Sequence, residues 1–151
     1  MGLTTFKVNL LLFFKLPSAF FCGVRLKYIS DSKSLVTVKH SWFNKNPFQS
    51  LYFAVQAMAA ELTTGSLVLS RIRMHDRNMS ILVANTTANF SKKAKGRITF
   101  TCLEGNSIEE YIVKAIETGE GQTFWMQSIG VDEMGDVVSN FKFEWTIKLK
   151  K

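Results

Sequence analysis

The chain of 151 residues is 46% hydrophobic and 13% aromatic, with 19 Lys and Arg against 12 Asp and Glu, a net charge of +7 and a pI near 9.5. That length and apolar content suit one domain over residues 1–151, large enough to bury a core without disulfides or metals. Cys22 and Cys102, taken with His40 and His75, match no metal-ligand spacing, so both thiols are expected to be reduced and structural.

The first apolar run, Val8 to Phe14 behind Lys7, imitates a signal peptide. Lys15 and Pro17 interrupt it, no small-x-small cleavage site follows, and it falls far short of the ~20 residues that span a bilayer. Phe6 stands where a myristoylated Gly2 chain requires Ser or Thr. Residues 6–14 therefore read as an amphipathic helix packed on the domain, with Pro17 beyond its end, and cytoplasmic residence without a membrane partner is expected. The sequons starting at Asn78, Asn85 and Asn89 carry meaning only in a secreted protein and get little weight.

Val24, Leu26 and Tyr28 alternate with Arg25 and Lys27, and Leu35 to His40 is a second β-rich run beyond the polar turn Ser30 to Ser34, so a hairpin is predicted. A helical stretch follows. Its start reads two ways: Asn46 before Pro47, with Gln49 three residues on, has the form of a cap, whereas a start near Ser50 fits the family resemblance given below. Gly65 is expected to close this helix and Ser66 to Arg73 to resume as strand. Ser80 to Phe90 and Arg97 to Leu103 read as strands joined by the basic connection Ser91 to Gly96. Ile108, Tyr111, Ile112 and Ala115 have helical spacing, with Glu109 and Glu110 near the positive end and Gly119 after Thr118. A final hairpin runs Thr123 to Val131, turns through Asp132 to Asp136, and returns over Val137 to Leu149. In that last strand Phe141, Phe143, Trp145, Ile147 and Leu149 share one face. Such alternation predicts an antiparallel sheet with one wet face.

The stretch from Asn46 to Glu61 holds one carboxylate in an otherwise small and apolar helix. Ala54, Ala57, Met58 and Glu61 fall on one face, so an approaching group meets little bulk on its way to the acid. A carboxylate in such a place either reaches water at a helix end or has partners or a task.

Asn46, Tyr52 and Glu61 stand six and nine positions apart. This spacing resembles that of the hotdog-fold thioesterase superfamily, in which Asn precedes a His-Gly-Gly turn and an acid follows within the central helix. The likeness extends through Ala88-Asn89-Phe90-Ser91-Lys92 and the closing strands and is nearest to an uncharacterised bacterial branch; Tyr52-Phe53-Ala54 replaces His-Gly-Gly. The resemblance implies an α+β hotdog fold, a curved antiparallel sheet wrapped around a long central helix, whose dimers hold ligand in a tunnel at the subunit boundary. It implies hydrolysis of an acyl-CoA or acyl-carrier thioester by a homodimer or dimer of dimers, with coenzyme A part of the substrate and no cofactor. In that scheme the Phe53 or Ala54 amide stabilises the oxyanion, Glu61 acts as base or nucleophile, and Asn46 positions water or substrate. Tyr52 either donates a hydrogen bond in place of His or plugs the tunnel. The other function the resemblance allows is a non-catalytic acyl-binding or structural protein.

Lys92, Lys93, Lys95 and Arg97 concentrate charge in one connection, where they fit coenzyme A phosphates, a nucleic-acid surface or a solvated loop. No exposed stacking aromatics interleave with them, which speaks against a nucleic-acid partner.

Overall fold

A computed structural model describes residues 3–150. Six antiparallel strands form one sheet in the order β1-β2-β4-β5-β6-β3. The strands are β1 (Arg25–Ile29), β2 (Ser34–Lys39), β3 (Met79–Phe90), β4 (Arg97–Cys102), β5 (Gln122–Val131) and β6 (Val137–Leu149). Helices α1 (Thr5–Lys15) and α2 (Pro17–Phe21) precede β1, α3 (Phe53–Met74) joins β2 to β3, and α4 (Ile108–Thr118) joins β4 to β5.

Both expected hairpins are present: Leu26 pairs with Val36 in the first and Trp125 with Glu144 in the second. The alternation read along the last strand is real, since Phe141, Phe143, Trp145 and Ile147 are all buried. Curvature comes from bulges in β1, β3 and β6 and from Gly130, where a Cβ would collide with the buried Phe100 ring opposite it in β4. The concave face wraps α3, whose Val55, Ala59, Leu62, Leu67, Val68 and Ile72 are buried. Buried hydroxyls on that helix find partners: Thr63 Oγ1 donates to Ala60 O at 2.7 Å, Ser66 Oγ lies 3.0 Å from Ser34 Oγ, and Trp145 Nε1 donates to Thr64 Oγ1 at 3.1 Å.

Two boundaries of α3 differ from the expectation. The helix does not stop at Gly65, and Ser66 to Arg73 is helical, because α3 runs 22 residues to Met74. A mid-helix glycine costs about 1 kcal/mol relative to alanine, and burial of Leu67, Val68 and Ile72 on the sheet outweighs that. Chain reversal falls instead after the His75 cap, at Asp76, whose φ of 49° is left-handed. The start is also later than Ser50: Tyr52 is the extended N-cap residue and Phe53 the first helical one. Neither Asn46 nor Ser50 caps α3; they build a separate turn immediately before it.

α1 packs on the domain through Val8 and Leu12, and Asn9 brackets the Leu26 backbone with hydrogen bonds of 2.9 Å in both directions. It is not amphipathic as expected, for its outward face is also apolar.

Candidate functional site

At its N-terminal end α3 opens on a cavity of about 610 Å³ whose lining includes Asn46, Tyr52, Phe53, Gln56, Phe90, Lys92 and Lys93. The chain enters in extended conformation, with the Leu51 N–H bonded to Ala94 O and the Tyr52 N–H to Asn44 O. Tyr52 O then accepts from the Val55 and Gln56 amides. Among the described residues no acceptor engages the Phe53 or Ala54 N–H. These are two of the orphan donors of a helix start, at the positive end of its dipole.

Asn46 is largely committed. Its side-chain carbonyl accepts from the Phe48 and Ser50 amides at 3.0 and 3.1 Å and from Ser50 Oγ at 3.2 Å, while Nδ2 donates to Ser50 Oγ at 3.0 Å. Only one Nδ2 hydrogen is left for a ligand. Tyr52 is exposed, with its ring edge-on to Phe53 at 5.0 Å and Phe53 next to Phe90 at 6.4 Å. These rings form an aromatic wall at the cavity.

Sequence reasoning missed Gln56. It is buried, donates through Nε2 to Leu51 O at 3.2 Å, and finds no partner for Oε1 among the described residues, beside the cavity. An unpaired buried acceptor is costly and therefore informative. Its one sequence signal is an amide at helical spacing from Tyr52 in an otherwise apolar turn.

Glu61 lies elsewhere. Eight residues separate it from Phe53, about 12 Å along the axis at 1.5 Å per residue, and it opens on a second cavity of about 170 Å³. Around it there stand Leu3, Val8 and Leu11 of the N-terminal segment, with Leu69, Ile81 and Trp145. Gly65, one turn on, makes the room: a Cβ there would stand 2.9 Å from Glu61 Oε1 and 3.3 Å from Trp145 Cη2. No side chain among the described residues bonds the carboxyl, and burial pushes its pKa up from 4.5 to about 7. Ala54, Ala57, Met58 and Glu61 are half-buried and form one stripe along α3.

The raised pKa has a consequence for stability. Between about pH 4.5 and 7 the folded chain holds a proton on Glu61 that the unfolded chain has released, so stability falls as pH rises through that window. Glu61→Gln removes this penalty and should unfold later than wild type at about pH 8, by roughly 2 kcal/mol, with the difference vanishing at about pH 4. Denaturant titrations at the two pH values check it, and equal stability at high pH would mean the carboxyl is solvated or paired.

The lysines divide. Lys92 is exposed and bridges Asp132 and Asp136 at 2.7 and 2.6 Å, which raises its pKa and commits its charge to the β5–β6 turn. Lys93 reaches Phe48 O at 3.4 Å, and Lys95 is exposed and lines neither cavity. Ala54 lines neither cavity as well. One chain thus gathers Asn46, Tyr52, Phe53 and Lys93 at the helix N-terminus and keeps Glu61 apart.

A curved antiparallel sheet wrapped around one long central helix is the hotdog fold. Residues 7–147 match the family described as "Domain of unknown function (DUF4442)", and the chain belongs to it. Solved structures agree on the fold. A Pseudomonas aeruginosa protein of unknown function, called a probable thioesterase, is 23% identical over 99% of both chains with a TM-score of 0.85. A Chlorobaculum tepidum protein of unknown function is 13% identical over 99% of both chains with a TM-score of 0.83. A Haemophilus influenzae thioesterase is 14% identical over 99% of this chain and 93% of its own, with a TM-score of 0.73. Among curated protein sequences none matches.

Proposed function

We propose that this protein hydrolyses acyl-CoA thioesters at sites shared between two copies of the chain. The observation that carries the reading is Glu61: a carboxyl with a pKa near 7, unpaired among the described residues, on a half-buried stripe of α3. Such a group is balanced between base and acid at neutral pH. The thioester carbonyl would accept from the Phe53 or Ala54 N–H, and Glu61 would activate water or attack the carbonyl carbon, releasing the thiol of coenzyme A.

Within one chain these parts are too far apart, and β3 supplies the reason for a second copy. It is a 12-residue edge strand bonded only to β6, and it carries no charge or proline to deter pairing on its open side. Its ends touch the two cavities, Ile81 at that of Glu61 and Phe90 at that of the helix start. Antiparallel self-pairing about a two-fold axis between Asn85 and Thr86 sets Ile81 opposite the partner's Phe90. Each helix N-terminus then meets Glu61 of the partner subunit.

With Lys92 committed, Lys93 and Lys95 are the cations left in this connection for the coenzyme A phosphates. Lys93→Gln with Lys95→Gln should weaken coenzyme A binding roughly three- to ten-fold and flatten its salt dependence, whereas Lys92→Gln should leave it near wild type. Calorimetric titration with coenzyme A at two salt concentrations separates these outcomes.

The second reading, a non-catalytic acyl-binding protein, has Asn46 in its favour, since the turn consumes the side-chain carbonyl that would orient water. Turnover measured with short, aromatic and long acyl-CoA substrates decides between them. Hydrolysis of any supports the enzyme, and binding without hydrolysis across the panel supports the other.

A further inference from the structure

We infer that the surface made by α1, α2 and the Ser41–Lys45 turn docks onto an anionic lipid surface. This is independent of the thioester reading. At 100° per residue Phe6, Leu10, Phe13 and Phe14 lie within an arc of about 100°, opposite the buried Val8 and Leu12. A helix apolar on both faces has one face still to cover. Here Phe6 is 74% and Phe14 68% exposed, and the patch continues to Phe21 at 61%.

The surface is contiguous. The Phe13 ring stands 4.9 Å from Phe14 and 6.5 Å from Phe21, and Asn44 Nδ2 donates to Cys22 O at 2.9 Å, tying the turn that carries Trp42, 80% exposed, to the end of α2. It is also rigidly held, because α1 is bonded to β1 through Asn9 and Arg25 donates to Phe20 O at 2.7 Å.

Charge selects the occupant. Residues 1–60 carry seven Lys and Arg, among them Lys7, Lys15, Arg25 and Lys45, against the single acid Asp31, so this part of the chain holds nearly all of the net charge of +7. Among the described residues none of the seven forms an ion pair. A second copy would bring the same positive field against this face, whereas anionic headgroups complement it while the rings enter the acyl boundary. No described helix is long and apolar enough to cross a membrane, so the contact is with one leaflet.

Flotation of the full chain with vesicles of phosphatidylcholine, with and without phosphatidylglycerol, tests this. Wild type should float with the anionic vesicles, less so at high salt, and brominated lipid should quench fluorescence that Trp42→Phe removes. Phe6→Ser with Phe14→Ser should lower partitioning at least roughly ten-fold with the melting temperature kept. Lys7→Gln with Lys15→Gln should erase the preference for the anionic lipid. No flotation at any composition, or equal flotation of the serine variant, overturns the inference. So does a change in the serine variant's oligomeric mass, which would make this face a contact between copies.

Discussion

Glu61→Gln should lower thioester turnover by roughly 10² to 10⁴-fold while leaving fold, assembly and substrate affinity nearly unchanged. The swap keeps the size of the side chain in the cavity it shares with Gly65 and Trp145, so nothing in that apolar cavity must move. In the proposed mechanism it removes the group that takes a proton from water or attacks the carbonyl. Binding should survive, because in that mechanism the acid acts on the barrier rather than on holding coenzyme A. A wild-type rate in the Gln variant would leave Glu61 as a buried carboxyl with no part in chemistry. Against that outcome stands the cost of its position: a carboxyl unpaired among the described residues and set among Leu3, Leu11, Leu69 and Ile81, with Gly65 in mid-helix giving it room, weakens the fold it sits in.

Phe53→Pro should cost roughly 10² to 10³-fold in turnover, the usual effect of deleting one oxyanion donor. Proline is accepted at the first helical position, and Tyr52, with φ −61° and ψ 136°, already has the extended backbone that a residue before proline needs. The helix should therefore persist without the Phe53 N–H. Phe53→Ala keeps the amide and loses only the ring, so it reads the aromatic contribution alone. A proline variant as active as the alanine one would assign the oxyanion to Ala54 N–H or to no helix amide.

The fold was legible in the sequence because its signals are periodic. Phe141 to Ile147 alternate strictly, Ile108 to Ala115 repeat at helical spacing, and both hairpin turns are polar. Gly65 misled because a glycine after an apolar run signals a helix end locally, while its reason here is tertiary, the approach of Glu61 and Trp145. Of the candidate site, the spacing of Asn46, Tyr52 and Glu61 placed the first two before the start of α3 and the third within it. It could not reveal that Asn46 spends its carbonyl on the turn before α3, that Lys92 is bridged by two aspartates forty and more residues away, or that Gln56 carries an acceptor unpaired among the described residues. Those depend on which partners folding brings together, and no local pattern encodes them. The outward aromatic face of α1 was hidden for the same reason, since a run of leucine and phenylalanine does not say which residues the sheet will cover.

The central claim is that one chain supplies the helix N-terminus and its partner the acid. Co-refolding Glu61→Gln with Phe53→Pro and measuring acyl-CoA hydrolysis tests it directly, because each mixed dimer contains one site with an intact Phe53 amide facing an intact Glu61. Recovery to about one quarter of the wild-type rate, the statistical yield of such sites, is the result predicted. A mixture no more active than its two parents would contradict the shared site.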